Sequence, residues 1–151
     1  MSSATRYPYD PARDSFRLSS VLAPFAFVAL TFALLTDIAF WRTSDLMWQN
    51  FSSWLLFAGL IAGGLAIVGG LVDLARQSTR ENGPGAAQIV GFLVVLVLAF
   101  FNSLVHAGDG WTAVVPNGLI LSAVTVLAMI VTLWLGRLAL TRGYTGVRYD
   151  D

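Results

Sequence analysis

Four apolar runs, each about 20 residues long, leave this chain one solvent in which it can fold, the interior of a lipid bilayer. They cover about 18–41, 51–72, 86–105 and 118–140. A helix of roughly 20 residues rises about 30 Å, the thickness of the hydrocarbon core, and satisfies its own backbone hydrogen bonds there. None of the runs alternates like an outer-membrane strand or carries the charged stripe of a surface-lying helix. The segments between them, 42–50, 77–85 (QSTRENGPG) and 106–117, are short and polar or rich in glycine and proline. Short connections make consecutive helices antiparallel neighbours. The expected fold is therefore all-α, an antiparallel bundle of four transmembrane helices. Residues 18–140 form the membrane domain, and residues 1–17 and 141–151 form tails, the first weakly ordered. The first run exceeds the ~7–15 residues of a signal-peptide core and ends in bulky IAFWR, so it is expected to be a retained span.

Composition narrows the chemistry. Hydrophobic residues make up 56% of the chain and charged residues 12%, about half the charged fraction of a soluble domain. Net charge is zero, which offers nucleic acid no basic surface. All nine basic residues are arginine, so there is no lysine for Schiff-base or phosphate-loop chemistry. With no cysteine, thiolate nucleophiles, disulfides and thiolate metal sites are excluded. A single histidine, His106, is too few for a multi-histidine metal site. No catalytic residue, no metal and no cofactor is expected, and the chain is not expected to be an enzyme.

Arginine placement sets the orientation. Arg6, Arg13, Arg17, Arg76, Arg80, Arg137, Arg142 and Arg148 fall on the side of the termini and the middle loop, and only Arg42 falls on the other. Basic loops stay cytoplasmic, so both termini are expected inside. Trp41, Trp48, Trp54 and Trp111 then gather at the outer interface, with Trp134 toward the inner one.

Three groups of residues stand out. In the second run Gly59 and Gly63 form a GxxxG, with Ala66 and Gly70 on a neighbouring stripe. Small residues let helix backbones approach closely in lipid. The stripe suits either a homodimer interface or packing within one bundle, and the second is favoured because such faces are common in small bundles. Asp73 sits where it can meet Arg76 one turn on, or Arg137 across the bundle, as an inner-face ion pair. Asp37, Arg42, Asp45, His106 and Asp109 all fall near the outer face. They read either as a small proton-handling or ligand-binding cluster, since histidine ordinarily titrates near neutrality, or as an interfacial Asp37 paired with Arg42 or capped by Thr36 and Trp41. The second reading is favoured.

The stretches PFAFVALTFALLTDIAFWRTSDLMW, SSWLLFAGLIAGGLAIVGGLVDL and LWLGRLALTRGYTGV resemble the bacterial membrane family called domain of unknown function 2231. The resemblance spans about Leu18 to Val147, and TDIAFWRT and the WLG…GV segment are its most specific parts. It implies a four-helix protein of the bacterial inner membrane, with some relatives fused to or associated with periplasmic sugar dehydrogenases of the sorbosone type. Many relatives carry a histidine–proline pair before the first helix and a histidine early in the third, which together imply a haem b site. Here those positions are Ser19, Ser20 and Gln88, and His106 stands where relatives tend to have arginine.

Three functions follow in order of expectation. The first is a non-catalytic subunit or anchor for another membrane or periplasmic protein. The second is an electron-transfer subunit holding haem b or quinone. The third is a small transporter or proton-conducting bundle.

Overall fold

The computed structural model describes residues 18–76, 86–108 and 111–145, with side chains described over 20–72, 87–108 and 111–138. Four helices carry the chain: α1 (Leu18–Thr43), α2 (Leu46–Arg76), α3 (Ala86–His106) and α4 (Asn117–Thr145). A short 3-10 turn, Trp111–Ala113, lies between the last two. Each helix contains a stretch long and apolar enough to cross a membrane. α1 packs most extensively on α2 and α3 on α4, and the α1–α4 and α2–α3 contacts close the ring. The expected tails lie outside the described residues.

The first connection is tighter than the polar segment 42–50 suggests. α2 begins at Leu46, leaving only Ser44 and Asp45 between helices. Ser44 takes the left-handed conformation (φ 58°) and its amide donates to the Phe40 carbonyl at 2.7 Å, ending α1. Asp45 then caps α2, its Oδ1 accepting the Met47 amide at 2.9 Å. An aspartate one residue before Leu46 supplies an acceptor to the unpaired amides of the helix start, so Gln49 and Asn50 are helical although polar.

Inward-facing positions recur every three or four residues on each helix. They are Ala26, Leu30, Ala33, Asp37 and Phe40 on α1, and Ser52, Leu56, Gly59, Gly63 and Ala66 on α2. On α3 they are Val95, Ala99, Asn102 and His106, and on α4 Gly118, Ser122, Thr125, Met129, Thr132 and Gly136. This 3-4 alternation is the seam of a helical bundle. Most of the inward residues are small or polar, whereas Phe25, Phe32, Phe57, Phe100, Leu127 and Trp134 point outward. That inversion suits lipid, where large apolar side chains lose nothing by facing out and small ones let backbones approach.

The glycines show which faces are occupied. A Cβ on Gly59 would lie 3.0 Å from Leu30 Cδ2 of α1, and one on Gly63 would collide with Leu96 Cδ2 of α3. Both members of the GxxxG are therefore occupied inside the bundle, and Ala66 is buried with them. Gly70, on the same predicted stripe, meets open space, as does Gly64. Gly63→Val should accordingly destabilise the bundle by about 1–3 kcal/mol in detergent unfolding followed by circular dichroism. Gly70→Ala should leave the unfolding midpoint within error or raise it slightly. A Gly70→Ala loss as large as that of Gly63→Val would contradict this packing.

Candidate functional site

The four seams turn polar at the same level. Asp37 lies six residues before the end of α1 and Ser52 six after the start of α2; Asn102 is four before the end of α3 and Ser122 five after the start of α4. At 1.5 Å per residue all four sit roughly 6–9 Å below the end of the bundle that carries the α1–α2 turn and the α3–α4 loop. His106, the last residue of α3, stands just above them.

Asp37 is fully buried at the centre of this layer. Its Oδ1 meets His106 Nε2 at 2.8 Å and accepts a hydrogen bond from Ser52 Oγ, while its Oδ2 accepts from Ser122 Oγ at 2.5 Å. Ser122 in turn accepts from Asn102 Nδ2 at 2.7 Å. His106 Nδ1 lies 3.0 Å from the main-chain carbonyl of Asn102, one turn earlier in α3. A carbonyl only accepts, so Nδ1 carries the proton and Nε2 is the atom that faces the carboxylate. All four helices thus contribute a side chain to one hydrogen-bonded knot.

The α3–α4 loop roofs the knot. Ala113 and Val114 are buried, and Trp111 packs against Phe40 with ring centroids 5.4 Å apart. Gln49 of α2 donates to the Gly108 carbonyl at 3.3 Å. Gly118 makes room for the histidine ring: a Cβ there would lie 2.7 Å from His106 Cε1 and 2.9 Å from the Ala113 carbonyl oxygen. Below the knot Leu30, Ala33, Leu56, Val95, Ala99 and Met129 form a continuous apolar core.

Of the five residues expected at the outer face, the structure brings Asp37 and His106 together. Arg42 and Asp45 are exposed, Arg42 lying over the Trp41 ring at 5.0 Å rather than pairing with Asp37. The reason is helical phase: Asp37 follows Ala33 by four residues on the inward seam, and Arg42 falls off it. Asp109 lies outside the described residues. So do the side chains of Asp73 and Arg76, while Arg137 is exposed on α4. Ser52 and Ser122 escaped sequence reasoning. Their signal was the seam itself, since each is a polar residue at an inward position of an otherwise apolar helix. Asn102 bonds between helices, to Ser122 of α4.

A paired-histidine haem site does not fit these residues. His106 is the sole histidine, and both its ring nitrogens face partners within the knot. Gln88, at one of the positions where relatives have histidine, packs against Gly136 of α4, whose added Cβ would lie 3.1 Å from Gln88 Cδ.

The chain matches the family model described as "Predicted membrane protein (DUF2231)" over residues 18–148. It belongs to that family of predicted membrane proteins. No curated protein and no solved structure matches it.

Ser122→Ala would remove the partner of both Asp37 Oδ2 and Asn102 Nδ2, and should cost about 1–3 kcal/mol in detergent unfolding. Ser103→Ala, one position off the seam, should be nearly neutral in the same measurement. Equal effects at the two serines would mean that the knot does not hold the helices together.

Proposed function

We propose that this protein is a non-catalytic multi-pass membrane subunit that anchors a partner protein through the loop end of its bundle. The observation that supports this reading is how the polar groups are distributed. The buried polar groups at the loop end bond chiefly to one another, and the layer beneath them is apolar from Leu30 to Met129. Such an interior ties helices together and offers no polar path across the bundle, which argues against a transporter or proton channel. The loop end itself is built to present a surface. Its first connection is a two-residue turn, its second is tethered by Gln49 and Trp111, and Trp41, Arg42 and Asp45 are exposed around it. Exposed tryptophan and arginine are the side chains that most often anchor an interface.

The excess of arginine on the side of the termini supports a cytoplasmic location for both of them, in a bacterial inner membrane. The loop end then faces the periplasm, where a membrane-bound or soluble periplasmic partner would reach it. The chain has no cysteine, so orientation can be read with single introduced thiols. Ser44→Cys in intact spheroplasts should react with a membrane-impermeant maleimide, and Ser78→Cys should react only after lysis. The reverse pattern would place the docking surface on the other side.

Affinity purification in mild detergent should return a partner at fixed stoichiometry. The charge reversal Arg42→Glu should deplete it at least several-fold while leaving the helical content unchanged. A chain that runs alone in every mild detergent, or a second copy as the sole companion, would contradict the anchor reading.

A further inference from the structure

Asp37 and His106 are the only titratable side chains buried among the described residues, and they face each other at 2.8 Å. Their hydrogen bonds restrict how many protons they hold. Nδ1 of His106 is committed to the Asn102 carbonyl, so its proton stays in place. Ser122 donates to Oδ2 and is itself held by Asn102 Nδ2, so that oxygen already has its donor. What remains is the gap between Nε2 and Oδ1. Two bare acceptors facing each other there would repel, and two protons would clash. One proton satisfies both atoms.

Charge leads to the same count. With one proton in the gap the pair is neutral overall, either as imidazolium and carboxylate or as imidazole and carboxylic acid. With none it is −1 and with two it is +1. A net charge buried in a bundle surrounded by lipid costs several kcal/mol. Among the described residues no other charged side chain is placed to offset it. α2 faces the pair with Ser52 and α4 with Ser122, neither of them charged. Arg42 and Asp45 are exposed, Arg42 over Trp41.

Asn102 and Ser52 frame the pair. The Asn102 side-chain amide donates to Ser122 and Ser122 to Asp37 Oδ2, while the main-chain carbonyl of Asn102 faces His106 Nδ1. Ser52 Oγ donates to Oδ1 and stands 3.3 Å from Nε2, at the edge of the gap. Bonds in such a network polarise one another, so the proton in the gap is coupled to the others. Asn102 Oδ1, also fully buried, has no hydrogen-bond partner, which leaves an acceptor beside the network for a water molecule that would carry a proton to or from it.

We propose that Asp37 and His106 together form a buried proton-binding site, holding one proton between Nε2 and Oδ1 and exchanging it through the loop end. The ligand is the proton itself. Binding converts an anionic pair to a neutral one with no bond broken other than that of the proton donor, and release returns the proton to water at the loop end. Among the described loop residues Ala113 and Val114 are buried at its loop end, whereas the apolar core separates it from the opposite end. It therefore communicates with one side of the membrane only, and needs no partner protein to operate.

The test uses the whole chain in lipid bilayers, with histidine labelled by 15N and aspartate by 13C. Because there is one histidine, its nitrogen signals are unambiguous. Nδ1 should be protonated throughout, and across a pH series the Nε2 signal and the Asp37 carboxyl signal should move together with one midpoint. Ser52→Ala, which removes a donor to Oδ1 but keeps both members of the pair, should shift both signals together. Asp37→Asn should abolish the shared transition and leave His106 unresponsive to it; the wild-type and Ser52→Ala spectra decide the matter if that variant does not fold. Separate midpoints for the two signals, an unprotonated Nδ1, or a Ser52→Ala shift confined to one of them would overturn the proposal.

Discussion

A carboxyl group below the surface of a membrane has to find its hydrogen-bond partners within the protein, and the loop end of this bundle is organised around that need. Asp37 sits on the inward seam of α1, where no water is assured and lipid offers no donor. The partners come from each of the other helices: Ser52 from α2, His106 from α3 and Ser122 from α4. An interhelical hydrogen bond in a membrane is worth about 0.6 kcal/mol on average, with a maximum near 1.7. Several such bonds converging on one carboxyl fix the relative rotation of four helices, because turning any helix by one residue would bring an apolar group against Asp37.

Below that layer the helices are held by fit rather than polarity. Gly59 receives Leu30 and Gly63 receives Leu96, so the backbone of α2 approaches both neighbours closely. Gly91 does the same for Thr132 between α3 and α4. The polar layer defines the register and the small residues provide close contact, and large apolar side chains are left to face lipid. A bundle arranged in this way is cross-linked by hydrogen bonds at its loop end and apolar through its middle. That combination is better suited to holding a partner, and to storing a proton on one side, than to passing anything across.

The helices were legible because about 20 consecutive apolar residues have no other stable arrangement than a membrane span. Their ends were less so. α2 starts at Leu46 because Asp45 caps it, a signal present in the sequence but masked by the polar Gln49 and Asn50 that follow. Of the expected outer-face residues, Asp37, Arg42, Asp45 and His106 lie toward one end of the bundle, but the pairing expected for Asp37 was the wrong one. Arg42 is close to Asp37 in sequence and opposite in charge, which favours it in a reading based on proximity. His106 is 69 residues away and meets Asp37 only because both lie on seams that converge. The positions Ala26, Leu30, Ala33, Asp37 and Phe40 carry that information, but each helix is apolar all round, so no contrast in hydropathy marks the inward face. What distinguishes it is residue size and the rare polar group, a weaker pattern than amphipathicity and visible only once the helices are docked.

The Asp37–His106 contact is the claim on which the rest stands, and a distance measurement reaches it directly. Magnetisation transfer between 13C at the Asp37 carboxyl carbon and 15N at His106 Nε2, in lipid bilayers, reports their separation without any substitution. The transfer should build up at the rate of a carboxyl carbon one hydrogen bond away from the nitrogen, as the Nε2–Oδ1 contact of 2.8 Å requires. Absence of transfer, with His106 Nε2 instead in contact with water, would place Asp37 in some other environment and dissolve the layer that organises the bundle.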